Sequence, residues 1–188
     1  MQDNLSTSGK TAILGAGSWG ATLTWLLGSH GRNVSLWTQD SEKLIRLRET
    51  RRLGKPLPVT IPENVGVCDD IADCVNDADV IVFCCTAQSM RSVAQRVAGA
   101  LNERALARKP ALVSAAKGIE LHTFSRMTEV LADVLPLLPV CALSGPNLAV
   151  EVLNGLPCAS VIACNDSAVA KAVQEQLSVP TFRLYSNK

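Results

Sequence analysis

Short apolar runs alternate with longer helix-forming stretches along nearly the whole chain. The strand-like runs lie at residues 11–15, 33–37, 65–68, 79–85, 111–116, 140–143, 159–163 and 181–185. The helical stretches between them lie at residues 18–30, 41–53, 71–76, 89–102, 125–135, 148–153 and 166–177. Residues 79–85 and 111–116 are apolar almost throughout, which is typical of parallel strands covered by helices on both faces. The alternation therefore predicts βαβ units in an α/β fold, a Rossmann-type, doubly wound and mostly parallel sheet.

A glycine-rich turn follows the first predicted strand. Residues 15–20 read GAGSWG, a G-x-G-x-x-G pattern between a strand and a helix at the start of a βαβ unit. In that context Gly15 permits the tight turn, Gly17 lets a pyrophosphate approach the backbone, and Gly20 lets the helix pack closely on the strand. The free amides around Ser18 and Trp19 then point at phosphate oxygens. The pattern predicts a dinucleotide-binding domain over residues 11–188, after a disordered lead-in at residues 1–10.

The end of the second strand bears on which dinucleotide binds. An acidic residue there accepts a hydrogen bond from the ribose 2′-hydroxyl of NAD, whereas an arginine pairs with the 2′-phosphate of NADP. Gln39 is neutral, and Asp40 comes too late for the ribose. Asp40 suits a helix N-cap instead, with Ser41 as the competing cap. These residues leave both NAD and NADP open.

Charge and composition disfavour other classes of ligand. The 18 basic and 17 acidic residues give a net charge of +1, and aromatic residues make up 4%, which disfavours nucleic acid and anionic membranes as partners. No apolar run approaches the length of a transmembrane helix, about 18 residues. Seven cysteines without a C-x-x-C pair, and two separated histidines, indicate free thiols in a reducing cytoplasm rather than disulfides or a metal site.

Two further segments follow predicted strands, at the edge where doubly wound sheets bind ligands. Lys117, in the segment AKGIE, can hold a phosphate or carbonyl oxygen as a point charge, although an ordinary surface lysine is the alternative. In the segment SGPNLA, Gly145 can expose its amide, and Asn147 can donate or accept a hydrogen bond. Asn147 equally suits the N-cap of the next helix. The residues alone do not decide between these roles.

Together these motifs resemble the N-terminal domain of bacterial NAD(P)-dependent glycerol-3-phosphate dehydrogenase. The matching pieces, in chain order, are GAGSWG, LW at residues 36–37, LPVTIPENV, AQSMR, KGIE and SGPNLAVEVLNGLP. The resemblance implies a cytoplasmic oxidoreductase that reduces dihydroxyacetone phosphate to sn-glycerol 3-phosphate with NADH or NADPH, for phospholipid biosynthesis. Two alternatives stay open: another Rossmann dehydrogenase, of the ketopantoate, 6-phosphogluconate or nucleotide-sugar type, and a dinucleotide-sensing domain without catalysis.

The resemblance also assigns roles by position. The cofactor-binding residues it implies are Gly15, Gly17, Ser18, Trp19, Gly20, Gln39, Lys117 and Ala149. Lys117 lies between cofactor and substrate, where it either stabilises an oxyanion or holds the substrate phosphate, and Gly145 and Asn147 line the substrate side. Gln39 stands where the family often has arginine, which weakens the case for NADPH.

The family's general acid/base is a lysine in a second, helical domain, beyond the segment that resembles FRLYSN, and Lys188 does not match it. The resemblance therefore implies that the chain contains no catalytic residue. On that basis we expect a fragment or truncated form that binds dinucleotide but turns over negligibly alone. A homodimer formed through the absent domain is a further implication.

Overall fold

A computed structural model describes residues 9–54 and 57–187 of the chain, which form ten β-strands. They are β1 (Lys10–Leu14), β2 (Val34–Trp37), β3 (Arg52–Leu53), β4 (Val59–Thr60), β5 (Gly66–Val67), β6 (Ala78–Phe83), β7 (Ala111–Ser114), β8 (Val140–Ser144), β9 (Cys158–Cys164) and β10 (Phe182–Asn187). Eight of them form one sheet in the order β10-β9-β8-β7-β6-β1-β2-β5, and β3 pairs with β4 in a separate antiparallel hairpin. Every pairing in the large sheet is parallel except that between β8 and β9. The predicted doubly wound, mostly parallel sheet is confirmed.

Helices connect these strands, and four of the helices begin at a polar side chain that caps the first turn. The helices are α1 (Ser18–Ser29), α2 (Ser41–Thr50), α3 (Ile71–Val75), α4 (Met90–Ala100), α5 (Glu103–Arg108), α6 (Met127–Val134), α7 (Ala149–Leu153) and α8 (Ser167–Leu177), with a 3₁₀ turn at Ala87–Ser89. The carboxylate of Asp40 accepts from the Lys43 amide at 3.0 Å, which confirms Asp40 as the cap of α2. Asp70, Asn102 and Asp166 cap α3, α5 and α8 in the same way. Each such cap satisfies amides that the first turn leaves unpaired.

The central strands are buried on both faces, which explains their uninterrupted apolar sequences. Successive side chains of a strand point to opposite faces. In β6, Val80 and Val82 accordingly pack into one buried cluster, whereas Ile81 and Phe83 pack into the other. Helices α1 and α8 cover the first face, and α4 and α6 cover the second. Burial on both faces fixes the height and tilt of each strand, and therefore fixes where the loops at the strand ends meet.

Several local predictions need correction. The helix predicted at residues 41–53 ends earlier, at Thr50, because Arg52–Leu53 pairs with Val59–Thr60 in the β3–β4 hairpin, while residues 55–56 lie outside the described part of the chain. Helix α5 was not expected, and the helix predicted at residues 89–102 begins instead with the 3₁₀ turn. Of the predicted lead-in, residues 1–8 lie outside the described residues and Lys10 already belongs to β1. None of the helices in the described ranges combines the length and apolar character needed to cross a membrane.

Candidate functional site

A cavity of about 720 Å³ opens at the carboxyl edge of the sheet. In the sheet order, β1 lies between β2 and β6. The connection that leaves β1 therefore leads to β2 on one side, whereas the later strands begin with β6 on the other side. Such a switch in direction leaves a crevice between the loops that leave adjacent strands, and doubly wound proteins bind ligands there. The cavity is lined by the start of α1 and by the segments that follow β6, β7 and β8. Its volume lies in the range typical of small-molecule and cofactor sites.

The three glycines of the turn after β1 have three different surroundings. Gly15 has φ +120°, and an added Cβ would lie 2.7 Å from the carbonyl oxygen of Cys84. A Cβ on Gly20 would lie 1.9 Å from the carbonyl oxygen of Gly15. Around Gly17, in contrast, no described atom beyond its chain neighbours lies within 4 Å of the Cβ position. Gly15 and Gly20 therefore allow α1 to pack on the strand ends, whereas Gly17 leaves open space beside the backbone.

The first turn of α1 faces the cavity. Ser18 and Trp19 line it, and no side chain caps the helix at Gly17. The first amides of a helix have no partner within the helix, and the helix dipole gives this end a partial positive charge. The Trp19 ring packs edge-on against Phe182, with 5.9 Å between the ring centroids. This contact packs the indole against the first residue of β10.

Asn147 lies at the opposite side of the cavity, after β8. Its Nδ2 donates to the hydroxyl of Ser160 in β9, while its Oδ1 is buried without a partner among the described residues. Helix α7 begins at Ala149 with Leu148 as its N-cap, so the alternative interpretation of Asn147 as a helix cap is wrong. Gly145 packs against the same serine, because a Cβ there would lie 2.4 Å from Ser160 Oγ. A buried amide oxygen without a partner is costly, and a ligand donor in the cavity would satisfy it.

The charges around the cavity favour an anion. Among the described residues that line it, the charged ones are Lys117 and Arg126, and both are cationic. Arg126 pairs with Glu129 at 2.7 Å. Burial raises the pKa of the Cys85 thiol to about 11 and raises that of Cys84 further, so both thiols are uncharged near neutral pH. The two thiols therefore add no charge to the cavity, and Lys117 is the lining cation that pairs with no carboxylate among the described residues.

The structure brings most of the predicted site residues together. Those that line the cavity are Ser18, Trp19, Lys117, Gly145, Asn147 and Ala149. Gly15, Gly17 and Gly20 shape the turn beside it, and Gln39 is exposed just beyond β2. The segment Cys84–Thr86 and Arg126 also line the cavity but were not expected. Cys84–Thr86 could have been found from the rule that residues following the strand beside β1 face the crevice.

Lys117 belongs to a loop, residues 115–126, that a charged pair connects to α4. Arg91 binds Glu120 through two contacts, Nε to Oε1 at 2.7 Å and Nη2 to Oε2 at 2.9 Å. The Thr123 hydroxyl donates to the same carboxylate at 2.6 Å. The hydrogen bonds from Arg91, and to a smaller extent the one from Thr123, lower the pKa of Glu120 to about 2.

Replacing Glu120 with glutamine is expected to lower the unfolding temperature most above pH 5. The folded-state pKa of Glu120, about 2, lies below its ordinary value of 4.5. The ionised group therefore contributes stability above the ordinary value and loses it as the pH falls toward 2. The difference in unfolding temperature between the parent and Glu120→Gln should shrink over that interval in a thermal melt series. A constant difference across this range would contradict the assignment, and Glu175→Gln, which removes a 4.0 Å surface pair with Lys171, serves as the control.

Comparison with known proteins identifies the family. Residues 10–170 match the family model described as the N-terminus of NAD-dependent glycerol-3-phosphate dehydrogenase. A glycerol-3-phosphate dehydrogenase [NAD(P)+] from Corynebacterium aurimucosum is 37% identical over 181 residues, which are 95% of this chain and 53% of that protein. One from Parvibaculum lavamentivorans is 36% identical over 177 residues, 94% of this chain and 51% of the relative. The chain thus spans about half the length of the curated relatives it matches.

Solved structures agree with this result. The crystal structure of glycerol-3-phosphate dehydrogenase from Coxiella burnetii superposes with a TM-score of 0.83 and 29% identity, covering 96% of this chain and 54% of that one. A UDP-D-ManNAc dehydrogenase from Pyrococcus horikoshii has a TM-score of 0.73 at 14% identity, over 95% of this chain and 46% of that one, which shows a shared fold alone. Because residues 10–170 match the glycerol-3-phosphate dehydrogenase model, the chain is not assigned to the nucleotide-sugar dehydrogenases, which share only its fold. The chain belongs to the family defined by the N-terminal region of NAD-dependent glycerol-3-phosphate dehydrogenase.

Proposed function

We propose that the cavity binds NADH or NADPH, and that the chain is the cofactor-binding part of an oxidoreductase that reduces dihydroxyacetone phosphate to sn-glycerol 3-phosphate. The relatives' names supply glycerol 3-phosphate and NAD(P)+, and the family resemblance supplies dihydroxyacetone phosphate as the ketone. One observation carries the proposal: the uncapped start of α1 and Lys117, which pairs with no described carboxylate, line the same cavity at the switch point of the sheet. That combination suits an anionic dinucleotide.

The surroundings of each residue fit such a ligand. The open space at Gly17 admits a pyrophosphate next to the backbone, and the amides of Ser18 and Trp19 are placed to donate to it. Ala149 lies with Asn147 at the far side of the cavity, where we place the nicotinamide end and the substrate. The unpartnered Oδ1 of Asn147 would accept a hydrogen bond from a substrate hydroxyl.

The proposed chemistry is the addition of a hydride and a proton to a ketone. When bound, a reduced nicotinamide supplies the hydride to the carbonyl carbon. Lys117 lies at the cavity edge, where its ammonium group would stabilise negative charge on the carbonyl oxygen or hold the substrate phosphate. By the family resemblance, the proton would come from a lysine in a second domain. For the assembled enzyme we propose a cytoplasmic homodimer formed through that domain.

A fluorescence titration with NADH, in the presence and absence of dihydroxyacetone phosphate, tests the proposal. Bound dinucleotide should show a saturable change in emission, and the triose phosphate should strengthen that binding if Lys117 and Asn147 contact both ligands. A domain that only senses dinucleotide would bind NADH with no such coupling. Absence of NADH binding would exclude both functions.

Replacing Gln39 with arginine is expected to shift cofactor preference toward NADPH. Gln39 is exposed and neutral, and nearby Lys43 already pairs with Asp40 at 3.0 Å, so neither offers a free cation to a 2′-phosphate. An added guanidinium could pair with that phosphate and should tighten NADPH binding roughly tenfold relative to NADH. Parallel titrations of both dinucleotides measure the ratio. An unchanged ratio would place the adenosine ribose elsewhere, and Gln95→Arg on the exposed side of α4 controls for a general effect of charge.

A further inference from the structure

We infer that Gln88 and Arg91, on the segment after β6, are positioning residues that hold the Lys117 loop against the cavity. The inference rests on the proposed function, because it concerns how Lys117 reaches the ligand. Neither Gln88 nor Arg91 lines the cavity, so each acts through the loop and not by touching the ligand.

Gln88 binds the loop backbone through both ends of its amide. Its Nε2 donates to the carbonyl oxygen of Ile119 at 2.9 Å, and its Oε1 accepts from the amide of Leu121 at 3.0 Å. This paired arrangement imitates the backbone pairing of a β-ladder. It fixes both the distance and the rotation of the loop relative to the 3₁₀ turn that carries Gln88.

Arg91 adds a second attachment one turn further along the chain. Besides the two contacts with Glu120, its guanidinium pairs with Asp133 of α6. The Arg91 side chain thus connects α4, the loop and α6 through one planar group. A bidentate guanidinium–carboxylate pair specifies orientation as well as distance. Gln88 and Arg91 therefore bind three consecutive residues of the loop, Ile119 to Leu121.

The loop needs such attachments because its conformation is not one that its residues favour locally. His122 has φ 72° and Phe124 has φ 56°, in the left-handed region that side chains with a Cβ rarely adopt. Gly118 has φ +117°, and a Cβ there would lie 3.2 Å from the Cβ of Ala87. The loop and the 3₁₀ turn are therefore in close contact right beside Lys117. Without the two attachments, we expect the loop to relax and Lys117 to leave its position at the cavity.

A double-mutant cycle on NADH binding tests the inference. The variants are Gln88→Met, which removes both hydrogen bonds at similar size, Lys117→Met, and the two combined. Gln95→Met, an exposed glutamine on the same segment, is the matched control. Lys117→Met should weaken NADH binding roughly tenfold and Gln88→Met several-fold, while the double variant should bind no more weakly than Lys117→Met. The inference would be overturned if the losses of NADH affinity in the two single variants multiplied in the double variant. It would also be overturned if Gln88→Met bound NADH as tightly as the Gln95→Met control.

Hydrogen exchange of the amides at residues 118–121 gives a readout that does not depend on the cofactor. Exchange there should accelerate at least about tenfold in Gln88→Met and stay unchanged in Gln95→Met. If the parent chain fails to bind NADH, the proposed function is wrong. Hydrogen exchange at residues 118–121 then still shows whether Gln88 holds the Lys117 loop in place. Unchanged exchange in Gln88→Met overturns the inference in either case.

Discussion

Replacing Gly20 with alanine is expected to destabilise the fold more than any other single change considered for this chain. The new Cβ would lie 1.9 Å from the carbonyl oxygen of Gly15 and 2.9 Å from the Cβ of Cys84. Gly15 has little room to move, because its amide is bound to the carbonyl oxygen of Trp37 at 2.8 Å and its backbone packs closely against that of Cys84. Helix α1 would have to separate from the strand ends, at a cost of about 3–5 kcal/mol. Chemical denaturation measures this loss directly.

Gly99 provides the matched control for that experiment. It also lies within a helix, α4, but no described atom beyond its chain neighbours and the adjacent helix backbone lies within 4 Å of its Cβ position. Gly99→Ala should leave the free energy of unfolding unchanged or raise it by up to about 1 kcal/mol, since alanine is the better helix former. Equal effects of the two substitutions would contradict the close packing assigned to Gly20.

Replacing Gly17 with valine is expected to leave the stability of the chain nearly unchanged but to abolish dinucleotide binding. Gly17 has φ −76° and ψ −177°, which suit any residue, and its Cβ position is open. The free energy of unfolding should therefore change by less than about 0.5 kcal/mol. The branched side chain would occupy the space assigned to the pyrophosphate, and NADH affinity should fall at least about tenfold.

Denaturation and NADH titration on the same Gly17→Val sample separate the two effects. Gly17→Ala is the graded control, because one methyl group takes up less of the open space and should weaken binding less. If valine at position 17 leaves NADH affinity unchanged, the pyrophosphate does not lie beside this turn. If it destabilises the chain strongly, the turn has a structural role that its open surroundings do not show.

Local requirements made the glycine turn and the strand pattern predictable. A strand buried on both faces must be apolar along its length, and this signal is visible in residues 79–85 without any partner. The distinct roles of Gly15 and Gly20 likewise follow from a turn that lies immediately between a strand and a helix. The cap at Asp40 depends on an amide three residues away. In each case the cause and the effect lie close together in the chain.

The features that sequence reasoning missed depend on contacts between distant residues. Asn147 resembled a helix cap, but its side chain binds Ser160, which β9 brings alongside because β8 and β9 pair antiparallel. Nothing local to residues 140–164 distinguishes that pairing from a parallel one. The hydrogen bonds of Gln88 could not be predicted from the sequence for the same reason, since its partners lie 31 and 33 residues further along the chain.

The most direct test of this account is calorimetric titration of the unaltered chain with NADH, with Gly17→Val titrated under the same conditions. The parent should bind NADH saturably at one site, with a dissociation constant at or below about 1 mM, and the variant should lose that binding. Absence of saturable heat in the parent, or equal binding by both chains, would contradict the claim that the open turn at the sheet edge receives a dinucleotide.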